Sequence, residues 1–381
     1  MSTQVIQPGA SFPNPVGDPG ADRLPVSSQW TLFRRRFRRH RLARISAFLV
    51  AAFYVVVVLA DFFAYSDPAL SNAQRSMVPP QPLHLFADGR FMPHVNGLIR
   101  SRDPQTFDVR YVADPSVRIA VVLFARGYPY RLFGLIDTDI HLLGTVGAPT
   151  ESSLFLFGAD QLGRDLFSRI VVAIRTSLVV GLAAVCVSLV LGMIMGALSG
   201  YYGGWVDLGI QRLIEILRAV PTIPLWMALA AAIPATWGIT LVYLTVTLII
   251  ALIGWTELAR ELRGRILALR HEDFVLAAEL CGASPRRIIF VHLLPSCMSH
   301  IIATTTLALP AMIASETALG FLGLGLRPPA ISLGVLLNGA QNIQSLALYP
   351  WLIWPAVPTA VIILAFNFLG DGLRDAADPY A

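Results

Sequence analysis

The sequence predicts an all-α polytopic membrane protein with six transmembrane helices and an extracytoplasmic insertion between the first and second. Three observations lead there. Of the 381 residues, 55% are hydrophobic and only 14% are charged, where a soluble chain carries about a quarter as charges. Mean hydropathy is +0.63. Six segments have the apolar length that a helix needs to cross a hydrocarbon core, about 20 residues.

Residues 1–30 are rich in Pro, Gly, Ser and Asp without periodicity, so 1–42 reads as a disordered cytoplasmic tail ending in a basic anchor. That anchor, Arg34-Arg35-Arg36-Phe37-Arg38-Arg39-His40-Arg41, directly precedes the first apolar run, as the positive-inside rule expects of a cytoplasmic flank. A basic balance of +5 also raises nucleic acid as a partner; the placement of the cluster at a membrane flank argues against it. The first span is expected over Ile45–Phe63, within a 43–65 unit. It lacks a small-x-small cleavage pattern and reads as a retained signal anchor.

The stretch 66–155 is too polar and proline-rich for membrane. Its short runs Ile119–Ala125 and Tyr130–Leu135, separated by Gly127-Tyr128-Pro129, have strand length and suggest a small extracytoplasmic lobe. Its eight arginines, Arg75 to Arg131, do not overturn this side, because long loops translocate largely regardless of charge. The remaining five spans, within a core at 156–381, are expected over Thr176–Leu198, Leu208–Ile233, Ile239–Trp255, Ile301–Leu322 and Trp351–Leu369. Uninterrupted apolar runs exclude barrel strands, which would alternate. The loop 257–298 carries Arg260, Arg263, Arg265, Arg270, Arg286 and Arg287, which places it, with both termini, on the cytoplasmic side.

Within that loop, Phe274–Leu280 is a good helix former, Gly282 permits a left-handed corner, and Ser284-Pro285 supplies an N-cap followed by proline at the first helical position. The expected product is a helix–glycine–helix knob. Ala277 and Ala278 offer small surface for close approach by another protein; an ordinary amphipathic interfacial loop is the plainer reading. Gly192, Gly196 and Gly200 form a small-residue stripe that favours helix packing within the subunit over pathway lining. Glu215 and Arg218, three residues apart on the third span, are expected to pair, either as a gate or as a structural ion pair near the interface. Pro221 and Pro224 would kink that helix. Glu316 is expected to be buried and paired. Gly323 and Gly325, before Pro328-Pro329, would end the fifth span as a gate region or as a simple helix terminus. Asp160, Arg164, Asp165 and Arg169 read as a solvated amphipathic segment at the membrane surface.

Several enzyme classes are excluded. All 29 basic residues are arginine, so no Gly-x-x-x-x-Gly-Lys-Ser/Thr phosphate loop exists, and no His-Glu-x-x-His or Gly-x-Ser-x-Gly occurs. Cys186, Cys281 and Cys297 are scattered and define neither a disulfide framework nor a metal site. No catalytic residue, metal or cofactor is expected.

The loop also carries a resemblance. Ala277, Ala278, Gly282, Leu294 and Pro295 match the spacing of the coupling motif of ABC importer permeases, with departures at Leu276 and His292; Glu279 stands one turn after the usual acid. The stretches Phe157–Arg169, Glu316–Gly325 and Asn367–Ala376 resemble, in the same order, the second or C-type permease of the dipeptide/oligopeptide/nickel group; Leu333 stands where that group usually has Trp. The resemblance implies a type I importer permease in the bacterial inner membrane. Its coupling residues would be Ala277, Ala278, Glu279, Gly282, Ala283, Leu294 and Pro295. Its pathway or gate candidates are Glu215, Arg218, Pro221, Glu316, Gly323 and Gly325. Implied partners are a homologous permease subunit, two cytoplasmic ATP-binding subunits, a periplasmic solute-binding protein and membrane lipid. The solute, led by peptides, stays open. The alternative is an ion-coupled secondary transporter, against which stand the lack of a matching internal repeat and the long basic loop.

Overall fold

The computed structural model of the protein describes residues 36–102, 109–146, 154–234 and 236–377. The expected tail over 1–30, Arg34 and Arg35, and Asp378-Pro379 lie outside the described residues.

The apolar runs become helices because lipid offers no partner to unpaired backbone groups. Among the described residues, five helical stretches are long and apolar enough to cross a membrane: Arg41–Val58, Leu166–Tyr202, Ile239–Leu269, Met298–Phe321 and Pro350–Ala376. They correspond to α1 (Arg41–Val58), α2 (Leu166–Tyr202), α5 (Ile239–Leu269), α7 (Met298–Phe321) and α9 (Ala356–Ala377). The expected third span is not one continuous helix. It is α3 (Gly204–Ala219) and α4 (Thr222–Ala231), bent by 85°. The cause is Pro221, whose ring forces the preceding residue out of the helical region: Val220 sits at φ −86, ψ 131. Among the shorter helices are α6 (Asp273–Leu280) and α8 (Leu333–Asn338).

The helix α2 has 37 residues, about 55 Å at 1.5 Å per residue and far longer than a hydrocarbon core of about 30 Å. Its glycine face meets α5. A Cβ on Gly192 would strike Leu258, on Gly196 the carbonyl oxygen of Ala259, and on Gly200 Ile266. The stripe therefore serves packing inside the subunit, where close backbone approach gives the contact that lipid cannot drive.

An all-α fold does not hold for the whole chain. Between α1 and α2 lies a four-stranded antiparallel sheet in the order β1 (His84–Ala87), β2 (Arg90–Arg102), β3 (Val109–Leu132), β4 (Ile136–Thr145). The long β3 pairs with β2 from Val109 to Ala120 and with β4 from Val121 to Leu132. Gly127-Tyr128-Pro129 is no turn between strands. It falls in β3 where the register with β4 shifts between Arg126 and Tyr130, since proline cannot donate to the ladder. The turn comes later, at residues 133–135.

Candidate functional site

The sequence around Gly282 folds as its local chemistry dictates. α6 ends with Gly282 at φ +78; the Ala283 amide donates to the Ala278 carbonyl at 3.0 Å and the Gly282 amide to the Glu279 carbonyl at 2.9 Å, a Schellman closure that needs a residue without Cβ penalty. The Ser284 hydroxyl accepts from the Arg287 amide, and Pro285 begins the next helical stretch. That stretch runs through a π segment, Ile288–Leu293, in which the Leu294 amide reaches the Ile289 carbonyl. Pro295 follows at once and has no amide for the Val291 carbonyl, so the widened turn sits where the regular ladder must fail.

The elbow is bolted to the bundle by Val275, Ile288, Ile289, Leu293 and Leu294, which pack with Leu262 and Ile266 of α5. Its outer surface carries exposed Phe274, Leu276, Ala277 and Leu280, the last 90% exposed. Of the two alanines only Ala277 faces outward; Ala278 and Ala283 are half-buried against the bundle, and Pro295 and Glu279 are exposed. Beside the elbow, Arg263 forms a bidentate pair with Asp207, both contacts at 2.5 Å. The Ser199 hydroxyl also donates to Asp207, and Gln211 donates to Ser199 at 3.1 Å. This network joins α2, α3 and α5 at the elbow end.

A cavity of about 1080 Å³ runs from the middle of the bundle, at Val185, Gly254 and Met312, to the elbow end, at Arg265, Ser296 and Arg374. Arg218, Glu257, Glu261 and His300 line it. The expected Glu215–Arg218 pair does not form. Glu215, exposed, takes Arg212 at 2.7 Å, and Arg218 turns across to Glu257 of α5 at 3.9 Å. Spacing of three residues permits either partner, and the position of α5 decides. Glu261 pairs with His300 of α7 at 3.1 Å and accepts from Thr304 at 2.9 Å. Trp226 Nε1 and Thr305 Oγ1 line the same space with no hydrogen-bond partner among the described residues. The cavity thus mixes both charge signs with hydroxyl and indole groups, a lining suited to a polar solute of either charge.

Glu316 lies outside this cavity and is 1% exposed. Its Oε2 accepts from Ser177 at 2.7 Å, and Ser177 in turn accepts from the Leu333 amide at 3.1 Å. Gly323, at φ +72, closes α7 through a Leu324-to-Leu319 bond of 3.0 Å, and Gly325 lays its backbone against Leu319 and Gly320. These are terminus and packing positions. Pro221 caps α4 at the bend, next to cavity-lining Thr222.

The charged residues at 160, 164, 165 and 169 do not form a solvated face. Arg169 and Asp165 are each 2% exposed. Arg169 donates to the Pro68 carbonyl at 2.8 Å and lies 3.6 Å from Asp160, which Arg164 holds at 2.7 Å. Asp165 caps α2 by accepting from Ser168 at 2.7 Å, and Tyr65 donates to it at 2.8 Å. Burial pushes the Asp165 carboxyl up to about 6, against the lowering effect of those hydrogen bonds. Trp351 adds a bond to the Ala159 carbonyl at 3.1 Å. This clamp, at the sheet end of the bundle, ties the segment after α1 to the start of α2 and to the segment before α9. No local signal announced it, because its partners lie about a hundred residues apart.

The profile of the family described as "Binding-protein-dependent transport system inner membrane component" matches residues 188–380, and that of the "N-terminal TM domain of oligopeptide transport permease C" matches residues 28–80. The dipeptide transport system permease protein DppC of Lactococcus lactis subsp. cremoris is 32% identical over 372 residues, 96% of each chain. The oligopeptide transport system permease protein OppC of Bacillus subtilis is 38% identical over 258 residues, 68% of this chain and 79% of that one. Among solved structures, an inward-facing MetNI methionine ABC transporter chain gives a TM-score of 0.42 at 17% identity, covering 55% of this chain and 96% of that chain.

Proposed function

This chain belongs to the binding-protein-dependent transport system inner membrane components, as a C-type permease subunit of an ABC importer, and we propose that it forms half of a pathway for peptides, driven through its Gly282 elbow. It is a multi-pass inner-membrane protein. In this reading α3 and α4 together complete a sixth span, both termini and the elbow are cytoplasmic, and the sheet forms the extracytoplasmic lobe.

The single observation that carries the proposal is the pairing of two features at one end of the bundle. An exposed apolar elbow, stiffened by its Schellman corner and rooted on α5, stands beside the charged mouth of a cavity that α5 also lines. A push on Phe274, Ala277 and Leu280 is delivered to α5, which carries Glu257 and Glu261. Two separate ATP-binding subunits would grip this elbow and its counterpart on a homologous permease subunit. A periplasmic solute-binding protein would deliver cargo at the lobe. Nucleotide binds the two conformations with different affinity, and that difference supplies the free energy of the switch. Arg218, Pro221, Glu257, Glu261 and His300 would border the solute, while Glu215, Glu316, Gly323 and Gly325 hold the frame around it. Peptides are favoured because the relatives are named for dipeptides and oligopeptides and because the cavity offers groups of both signs to a peptide's two termini.

The test is uptake of labelled di- and oligopeptides into proteoliposomes holding the complete transporter. ATP-dependent accumulation that needs the binding protein is expected. Accumulation driven by an ion gradient with the ATP-binding subunits left out would overturn the proposal.

A further inference from the structure

Beyond transport, the sheet carries an apolar tip whose surroundings identify its partner. We infer that the β3–β4 hairpin turn, Phe133-Gly134-Leu135-Ile136, is an anchor that sits in the phospholipid interface beside α1.

The turn holds no polar side chain, and Phe133, Leu135 and Ile136 are 58%, 85% and 58% exposed. None of the three belongs to a hydrophobic cluster among the described residues. Phe133 also adopts φ +55, a conformation where asparagine or glycine would be the relaxed choice. The local backbone therefore gains nothing from a phenyl group at this position.

Position says what that is. His141 of β4 bridges the hairpin to the end of the first span, with Nδ1 2.9 Å from the Asp61 carbonyl and Nε2 3.0 Å from the Tyr128 carbonyl. Asp61 itself is held by Arg175 of α2 at 2.6 Å. The hairpin is thus pinned at the level where α1 and α2 leave the membrane. From His141, paired with Ala125, five residues lead to the Leu132↔Ile136 pair that closes the hairpin, about 17 Å of strand.

The tip also continues a surface that already faces lipid. Val55 and Val58 on α1 are more than half exposed. Beyond them Phe62 meets Phe63 at 5.7 Å and, across to the sheet, Phe124 at 6.2 Å. Aromatic rings gather at membrane–water boundaries because an amphipathic interface accepts their faces and edges. The charges nearby cancel within the hairpin. Arg131 pairs with Asp137 at 2.9 Å and Arg126 approaches Asp139 at 3.9 Å. A protein partner steered by electrostatics would find no net charge there, whereas an interfacial apolar wedge needs none.

The experiment places the photoreactive residue benzoylphenylalanine at Phe133 or Leu135 in the full chain, within the assembled transporter in native membranes. The control is Val112, equally apolar and 58% exposed, on the other half of β3. Illumination followed by mass spectrometry is expected to give phospholipid adducts at 133 and 135 and none at 112. A protein adduct at 135, such as the solute-binding protein, no adduct at 133 or 135, or equal lipid labelling at 112 each overturns the inference. The phenylalanine-for-benzoylphenylalanine exchange at 133 keeps an aromatic ring, and co-purification of the subunits confirms that the labelled chain has folded. Since the readout is lipid contact alone, a negative result here leaves the transport proposal standing, and failed uptake leaves this one standing.

Discussion

Ser177 on α2 donates to Glu316 on α7 at 2.7 Å, and the same hydroxyl oxygen accepts the amide of Leu333, the first residue of α8, at 3.1 Å. One hydroxyl therefore holds three helices. Ser177→Ala leaves a buried carboxyl oxygen and a buried amide without this partner, a loss of about 1–3 kcal/mol per unsatisfied group. Thermal unfolding of the purified transporter should fall markedly for Ser177→Ala and much less for Glu316→Gln, whose amide oxygen still accepts. Equal melting of Ser177→Ala and the parent would refute the hub.

At the elbow, a Cβ on Gly282 would meet no atom within 4 Å. Any effect of substitution comes from its φ of +78, at roughly 1–2 kcal/mol for a residue with Cβ in the left-handed region. Gly282→Val should keep membrane insertion yet lose ATP-coupled uptake, with Gly282→Asn intermediate. If Gly282→Val transports normally, the rigid corner is irrelevant to coupling.

Asp165 gives a pH dependence whose sign follows from its burial. Its carboxyl titrates near 6 in the fold against an ordinary 3.8, so the folded chain holds the proton to higher pH than the unfolded chain. The associated stability is complete below 3.8 and is lost as pH rises through about 6. That amounts to at most about 3 kcal/mol for a difference of some two units. Asp165→Asn keeps an acceptor for Ser168 and removes the titration. Melting temperature measured from pH 4 to pH 8 should decline more steeply in the parent than in Asp165→Asn; parallel curves would contradict the assignment.

The glycine stripe predicts a graded response. A Cβ at Gly196 would lie 2.8 Å from the Ala259 carbonyl oxygen, and one at Gly192 would lie 2.9 Å from the side chain of Leu258. Backbone cannot yield as the end of a leucine side chain can, so Gly196→Ala should depress assembly more than Gly192→Ala. Subunit co-purification reads the difference, and the reverse order would show that the two helices do not pack as described.

Across the cavity, Arg218 and Glu257 stand 3.9 Å apart. Arg218→Glu or Glu257→Arg alone places like charges together and should depress uptake. The double exchange should recover most of it. Absence of recovery would mean that these groups act on the solute separately and not as a pair.

What the sequence determined by itself was set by local or one-dimensional physics. Apolar length fixed the membrane helices, because a bilayer admits little else. Glycine, serine and proline at 282, 284 and 285 fixed the elbow, because a Schellman corner and an N-cap are closed by neighbours in the chain. Pro221 marked the place of the break but not its angle. The tertiary structure decided the rest. Arg218 could reach a partner on its own helix or on another, and α5 chose Glu257. Asp160, Asp165 and Arg169 looked like a wet surface until Tyr65 and Pro68 arrived from a hundred residues away. The runs 119–125 and 130–135 announced part of the sheet by their strand length, but not its four strands or its pairing, because half-exposed strands with paired charges carry only faint alternation and register is settled by cross-strand contacts. Groups whose partners are distant in sequence have no signature in it, since burial and charge pairing are properties of the assembled chain.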